Sequence, residues 1–270
     1  YDMLSPRLVQ EYDLASGKLT PILEGHAATR ARNGATAFLS PLESGFYADH
    51  GVVVADPRGV TEPPVYICQD YSHPSNVICG TPKLSPDGRY IAFSAVGGWG
   101  NQCPDEHGMP WGWFVLVTDR QGNLIVYYEG FYDPEWLLDG RLAMMGTQCR
   151  NAGVWLTNAQ LNNAARIDGG RVGTPASAPA ASPNGRTLAF VWNGQVWALP
   201  LDGAGELTQL TQLPRAAASA AWSPDGRMMA ILMFDITMPT RAIALMRVGD
   251  PGSVTYRELP VYPYGPISWR

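Results

Sequence analysis

A short turn sequence recurs along this chain at intervals of about 45 residues, and few folds repeat in that way. Three copies begin at Ser85, Ser182 and Ser223 and read Ser-Pro-Asp-Gly-Arg or Ser-Pro-Asn-Gly-Arg. Proline presets the first φ angle of a turn, Asp or Asn hydrogen-bonds its own backbone, and glycine adopts positive φ. An alternating apolar segment follows each copy. The pattern predicts a tight hairpin that joins two antiparallel strands.

Two weaker copies fit the same frame. The segment from Ser40 to Gly45 has a lengthened turn, and the segment from Trp136 to Arg141 lacks the Ser-Pro pair. A second hairpin follows each first one, as in residues 196–211. Each repeat therefore contains four antiparallel strands, which we designate A to D in chain order. Repeats of this length with four strands are typical of β-propellers, because solenoid repeats of similar length are helical and no helical periodicity occurs here.

The number of repeats predicts six blades. Five nearly complete units lie between residues 34 and 260, and a sixth is divided between residues 8–23 and the segment from Pro266 to Trp269. Sharing one blade between the termini hides the two free edges of the ring. We therefore predict an all-β, six-bladed propeller of four-stranded antiparallel blades, with one blade shared between the termini. Residues 1–270 are expected to form a single domain.

These residues also resemble a known family. The Ser-Pro-Asp-Gly-Arg hairpin, the Ala-Phe strand after it and the later Asp-Gly turn are similar to the TolB-type propeller repeat, a WD-repeat relative without the Trp-Asp signature. That repeat occurs in periplasmic TolB and in the propellers of prolyl-oligopeptidase-like peptidases. The resemblance covers nearly the whole chain and implies the fold. It does not imply a TolB role, because no TolB-like domain precedes the repeats and propellers host many functions.

Several function classes are disfavoured by the composition and motifs. The net charge of −5 and the pI of about 5.3 argue against a nucleic-acid partner. No apolar run approaches the roughly 20 residues of a membrane span. The sequence has no Gly-x-Ser-x-Gly elbow, phosphate-binding loop, dinucleotide fingerprint or His-Glu-x-x-His motif. We therefore expect no cofactor and no catalytic residues, and we predict a non-enzymatic interaction or scaffolding module.

The expected docking surface is the propeller face that carries the D–A and B–C connections, which we call the loop face. The connection from Val96 to Trp113 is long and rich in tryptophan. Long loops with their own aromatic residues are commonly functional, and tryptophan is enriched in interface hot spots. The candidate binding residues on it are Trp99, Asp105, Glu106, His107, Trp111 and Trp113. The alternative is a lid that packs against its own neighbours.

Histidines suggest a second function. All four of them, His26, His50, His73 and His107, map to the loop face. The runner-up interpretation is a ligand- or metal-binding propeller, with or without enzymatic activity, whose site lies at the mouth of the central channel. The simpler explanation is that long loops collect polar residues. Whether the histidines bind a metal is left open, because they come from different loops.

The four cysteines predict two disulfides and an oxidising compartment. Their count is even, and none forms a Cys-x-x-Cys pair. Cys68 and Cys79 share one D–A connection, whereas Cys103 and Cys149 lie in B–C connections of successive blades, so these two pairings are expected. Four unrelated buried thiols are the alternative. The predicted location is periplasmic, extracellular or exoplasmic and membrane-associated, with a protein partner in a membrane or envelope assembly.

Overall fold

The computed structural model is an all-β propeller. It describes residues 8–31, 33–41, 50–61, 63–68, 77–97, 112–147, 151–173, 175–203, 206–235, 238–259 and 267–269. Within these residues, five antiparallel blades and one two-stranded hairpin account for the strands.

The strands follow the predicted order from the inner strand A to the outer strand D of each blade. The hairpin consists of β1 (Leu8–Tyr12) and β2 (Leu19–Glu24). The first blade consists of β3 (His26–Arg30), β4 (Thr36–Pro41), β5 (His50–Ala55) and β6 (Tyr66–Cys68). The second consists of β7 (Val77–Cys79), β8 (Lys83–Leu84), β9 (Tyr90–Gly97), β10 (Gly112–Asp119) and β11 (Leu124–Glu129). Both β7 and β8 pair with β9, and together they form the inner strand of this blade.

The remaining three blades are regular. The third consists of β12 (Phe131–Trp136), β13 (Leu142–Gly146), β14 (Gly153–Thr157) and β15 (Ala164–Arg166). The fourth consists of β16 (Ala176–Ala181), β17 (Thr187–Trp192), β18 (Gln195–Pro200) and β19 (Thr208–Gln209). The fifth consists of β20 (Ala216–Trp222), β21 (Met228–Asp235), β22 (Met238–Arg247) and β23 (Asp250–Glu258).

The recurrent turn adopts the predicted A–B hairpin geometry. In the second blade, the Ser85 hydroxyl donates to Asp87 Oδ1 at 2.6 Å and accepts the Tyr90 N–H at 2.9 Å. Asp87 Oδ1 also accepts the Arg89 N–H at 3.0 Å, and Gly88 has a φ of 71°. The turns that begin at Ser182 and Ser223 repeat these bonds. The turn is therefore defined by its own side chains, which explains why its sequence recurs.

The third blade makes the same turn without the serine. Leu137 occupies the serine position and cannot accept the N–H of the residue that begins strand B. That N–H, from Leu142, instead donates to Thr157 Oγ1 at 2.8 Å, and Asp139 Oδ1 accepts the Arg141 N–H at 3.1 Å. A hydroxyl on a neighbouring strand thus replaces the missing local acceptor, as buried backbone donors require.

The first blade differs from the sequence interpretation. The turn predicted around Ser40 is not its A–B hairpin, because Ser40 and Pro41 end strand B. The A–B turn lies between β3 and β4, where the Gly34 N–H donates to the Ala31 carbonyl at 2.9 Å and Gly34 has a φ of 86°. Asn33 Oδ1 accepts the Ala35 N–H at 3.0 Å, so an Asn-Gly pair makes this turn without proline.

Apolar clusters between blades give the order of the ring. Each of four clusters joins side chains of consecutive blades, from the first with the second to the fourth with the fifth. The hairpin completes the circuit: Val9 and Leu23 pack against the first blade, and Tyr12 packs against the fifth. The β1–β2 hairpin therefore fills the gap between the first and last blades.

The prediction of six four-stranded blades is wrong: the propeller has five. The segment around Trp269 was expected to supply strand A of a sixth blade that also contains residues 8–23. Residues 267–269 form no strand, although the Ile267 N–H donates to Ser219 Oγ at 3.3 Å and Trp269 packs against the fifth blade. An apolar segment in the right place was mistaken for a strand, because a sequence does not show whether a segment finds a backbone partner. Pro266 lies outside the described residues.

Candidate functional site at the channel mouth

The inner strands of all five blades end around a cavity of about 230 Å³ at the propeller axis. The cavity lies at the A–B turns, on the face opposite the loop face. Short runs from each blade and residues near the C-terminus form its wall. They comprise residues 29–31, 83–84, 86, 135–136, 138, 180–183, 220–223 and 267–269. We call this cavity the channel mouth.

Two indoles in the wall join neighbouring blades. Trp136 Nε1 donates to the Lys83 carbonyl at 3.0 Å, and Trp222 Nε1 donates to the Ala180 carbonyl at 2.9 Å. Each bond runs from the end of one inner strand to the inner strand of the preceding blade. The indole N–H groups are therefore satisfied internally, and the rings are held in fixed positions beside the cavity.

An ion pair crosses the wall between the second and third blades. Lys83 Nζ lies 2.8 Å from Glu135 Oε2, and the two side chains are 22% and 18% exposed. Glu135 Oε1 also accepts the Ala181 N–H of the fourth blade at 3.4 Å. Because the charges neutralise each other in a largely buried pair, they orient the wall more than they attract a charged ligand.

A second carboxylate on the same strand lies at a bulge. Ala27, Asp133 and Ala178 have positive φ angles of 46–50°, at register shifts of the inner strands β3, β12 and β16. Asp133 Oδ2 accepts the Ala178 N–H at 2.9 Å, and the Asp133 N–H donates to Ser94 Oγ at 2.8 Å. Burial raises the pKa of Asp133, although the bond from Ala178 and the charge of Lys83 lower it.

A second cavity, of about 410 Å³, opens between the fourth and fifth blades on the same face. It shares Ser182, Pro183 and Trp222 with the channel mouth, so the two cavities form one depression from the axis outward. Leu210 and Val248 add apolar surface to its outer part. The depression is thus lined by alanine, proline and indole groups together with four charged side chains, Arg30, Lys83, Glu135 and Asp225. The hydroxyls of the two turn serines are engaged within their own turns.

The loop-face candidates are mostly outside the described residues. This applies to Trp99, Asp105, Glu106, His107 and Trp111. Trp113 is described: it is 42% exposed, and its ring lies 5.4 Å from the Tyr132 ring. Its contribution to partner binding stays a prediction.

Two of the four histidines lie within the described residues. His73 and His107 lie outside the described residues, while His26 and His50 are the first residues of β3 and β5. Within the described ranges, no group of three or more His, Cys, Asp or Glu side chains could hold a metal ion. The same ranges contain no helix that is long and apolar enough to cross a membrane.

One cysteine pair is visible. Cys68 and Cys79 form a disulfide with Cα atoms 5.7 Å apart, linking the outer strand of the first blade to the inner strand of the second. This is the pairing expected from their shared D–A connection, and it indicates an oxidising compartment. Cys103 and Cys149 lie outside the described residues.

Sequence reasoning placed a possible channel site on the loop face. It overlooked this opposite end of the channel because the A–B turns were interpreted as structural hairpins. A signal was nevertheless present in β12. Asp133 and Glu135 interrupt an otherwise apolar and aromatic inner strand on either side of Pro134. Acidic residues in a strand that should be buried indicate a specific use.

The sequence matches no protein family and no curated protein. Solved structures with a similar fold do exist. TolB from Acinetobacter baumannii has a TM-score of 0.64 at 15% identity, covering 96% of this chain and 60% of that one. A putative TolB from Agrobacterium tumefaciens has a TM-score of 0.59 at 16% identity, covering 92% of this chain and 86% of that one.

An enzyme has a similar fold as well. An oligogalacturonate lyase in complex with manganese has a TM-score of 0.57 at 15% identity, covering 93% of this chain and 69% of that one. This chain thus spans 60% of the Acinetobacter TolB chain and larger shares of the other two. At these identities the similarities support the β-propeller fold and do not extend to activity, substrate or partner.

Proposed function

We propose that this chain is a propeller domain that acts as a protein-interaction module in an oxidising, extracytoplasmic compartment. The observation that carries the proposal is the depression from the channel mouth to the groove between the fourth and fifth blades. A wall of indole, proline and alanine, with a neutralised ion pair and the Arg30 side chain at its edge, suits an extended partner segment that has apolar side chains and few charges. The partner would belong to a membrane or envelope assembly.

Rigidity of the depression supports this function. The indoles of Trp136 and Trp222 are hydrogen-bonded to the preceding blades, and the turn serines are bonded within their turns. A partner therefore meets a preformed surface, and little conformational entropy is lost on the propeller side. The loop face around Trp113 remains a second proposed contact for the same partner.

The test is affinity capture from the native envelope fraction followed by quantitative cross-linking. Leu138 is 40% exposed and lines the channel mouth, so Leu138→Arg should block the cavity without disturbing the core. Val60 is 58% exposed and lies away from the cavity, so Val60→Arg is the matched control. We expect a partner that is retained by Val60→Arg and by the native protein and is lost from Leu138→Arg.

Two further variants assign the docking face. Trp113→Ala and deletion of residues 100–110 remove parts of the loop face and leave the channel mouth intact. If the partner survives Leu138→Arg and is lost from these variants, it docks on the loop face and the channel-mouth proposal is wrong. If both sets weaken capture, the partner contacts both faces. If no variant changes capture, neither surface is the docking site.

A second candidate function is small-ligand binding at the channel mouth, where Lys83 and Glu135 line the cavity and can exchange their ion pair for bonds to a ligand. A thermal-shift series with small carboxylates, repeated on Lys83→Met, tests it. A ligand that raises the melting temperature of the native protein but not of Lys83→Met would support this candidate over protein docking.

A further inference from the structure

The outer edge of the second blade is unusually apolar for a free strand. Within the described residues, β11 pairs with β10 alone and is the terminal strand of its sheet. Leu124, Ile125 and Tyr127 on it are 55%, 47% and 57% exposed. Between Leu124 and Tyr128 the strand has no charged side chain and no proline. An edge of this kind presents backbone donors and acceptors beside an apolar surface, which is a template for pairing with another strand.

The other outer strands of the propeller are protected. In the part of the chain that the structure describes, β6 and β15 have three residues each and β19 has two, and β15 and β19 are too short to accept a long segment. β2 contains Pro21, and β23 contains Pro251 and charged residues near both ends. Short edges, prolines and charges are the devices by which proteins prevent edge pairing. Between Leu124 and Tyr128, β11 has no proline and no charged residue. Its pairing with β10 shifts register near Thr118, and Val126–Glu129 are paired regularly.

From this contrast we infer that β11 is a docking edge for an extended segment of a protein partner, which adds as a further strand of the second blade. Backbone hydrogen bonds would supply affinity, and alternate apolar side chains of the segment would contact Ile125 and Tyr127. The segment is therefore expected to alternate apolar and polar residues over about six positions, the length of β11. This site is separate from the channel mouth, so the inference goes beyond the proposed function.

A second copy of the chain fits the edge less well. A standard interface uses roughly 20–30 residues on each side, whereas a β11–β11 contact offers six residues per copy. The regular part of the strand would pair over four residues in such a dimer. A short segment of a partner requires no larger contact area, because it brings no second globular body to the outer rim of the propeller.

The location of β11 also connects it to the predicted loop site. The Gly130 N–H, immediately after β11, donates to the Trp113 carbonyl at 2.8 Å. The Tyr127 ring lies 6.4 Å from the Phe114 ring, on the residue next to Trp113. A segment bound along β11 would therefore end near the Trp113 backbone. The Trp113 indole lies on the opposite face of the blade from Tyr127, against Tyr132 of the third blade.

The probe is a fluorescein-labelled peptide of alternating valine and threonine with lysines at both ends, and binding is measured by fluorescence anisotropy. We expect saturable binding to the native protein. Tyr127→Lys places a charge on the edge and should weaken binding about tenfold or more. Tyr256→Lys is the matched control, because Tyr256 is 46% exposed on the outer strand of the fifth blade and should bind normally. Leu138→Arg should also bind normally, which separates this site from the channel mouth.

Backbone pairing is tested with N-methylated peptides. Methyl groups on the amides that face β11 remove the hydrogen bonds and should abolish binding, whereas methyl groups on the alternate amides should not. Hydrogen exchange should slow at alternate amides of residues 124–129 when the peptide binds. The inference is overturned if the native protein does not bind the peptide, if Tyr127→Lys binds like Tyr256→Lys, or if both N-methylated peptides bind equally.

Sedimentation equilibrium without peptide tests whether a second copy of the chain pairs with β11. We expect a monomer. A dimer of the native protein that Tyr127→Lys dissociates would show that the edge pairs with a second copy, and it would overturn the assignment to a partner segment.

Discussion

Asp133 offers a direct test of how the inner strands of neighbouring blades are held together, because two substitutions there separate loss of its hydrogen bond from loss of its charge. Asp133→Ala removes the acceptor of the Ala178 N–H and leaves the backbone in a left-handed conformation with φ of 46°. Asp133→Asn retains an acceptor oxygen, and asparagine tolerates that conformation. The two variants therefore share the loss of the carboxylate and differ in the bond and in backbone strain.

The expected magnitudes follow from these contacts. A backbone N–H left without a partner costs about 1–3 kcal/mol, and left-handed strain at alanine adds about 1 kcal/mol. Asp133→Ala should therefore lower the free energy of unfolding by about 2–4 kcal/mol. Asp133→Asn should lie within about 1 kcal/mol of the native protein, because it removes a buried charge and retains the bond.

The pH dependence gives a second readout. Burial raises the pKa of Asp133 above its ordinary value of 3.8. Between pH 3.8 and the folded pKa, the folded protein therefore binds more protons at this group than the unfolded chain does. The free energy of unfolding contributed by this group is therefore highest at low pH and falls as pH rises through the folded pKa. Asp133→Asn lacks this loss, so its stability relative to the native protein should increase with pH.

Urea unfolding followed by tryptophan fluorescence, at several values between about pH 4 and about pH 8, measures both effects. The difference between native protein and Asp133→Asn isolates this group from the other carboxyls. The reasoning is refuted if Asp133→Asn is as unstable as Asp133→Ala, or if the difference between Asp133→Asn and native protein is independent of pH.

Three further predictions concern stability and are measured by urea or thermal unfolding. Cys79→Ser opens the disulfide loop between the first two blades and should lower the free energy of unfolding by about 3 kcal/mol. Unchanged stability would contradict the structural role of the bridge. Gly122→Ala should lower the free energy of unfolding by about 2 kcal/mol or more, because its Cβ would clash with the Val65 carbonyl oxygen and the residue has a φ of 85°. A neutral effect would show that the turn moves to relieve the clash. Thr157→Val leaves the Leu142 N–H without its acceptor and should cost about 1–3 kcal/mol, whereas Thr157→Ser should restore most of it, and equal loss in both would point to packing instead.

Local chemistry made much of the fold predictable from sequence. The hairpins at Ser85, Ser182 and Ser223 are held by bonds within five residues, so their sequence is sufficient to define them. Their spacing then predicts four-stranded repeats, and the Cys68–Cys79 pair follows from sharing one connection. Features that depend on neighbours along the chain can be read from the chain.

Features that depend on distant partners required the tertiary structure. The sixth blade fails because the segment at Ile267 binds a serine hydroxyl instead of a neighbouring strand. The turn of the first blade uses Asn33 and Gly34 where Ser40 was expected. The channel mouth is formed by strand ends from five blades that lie far apart in sequence. The raised pKa of Asp133 arises from burial at the β12 bulge, between Ser94 and Ala178 of the two adjacent blades. Turn formation is local, whereas strand pairing, cavities and desolvation result from which segments the folded ring brings together.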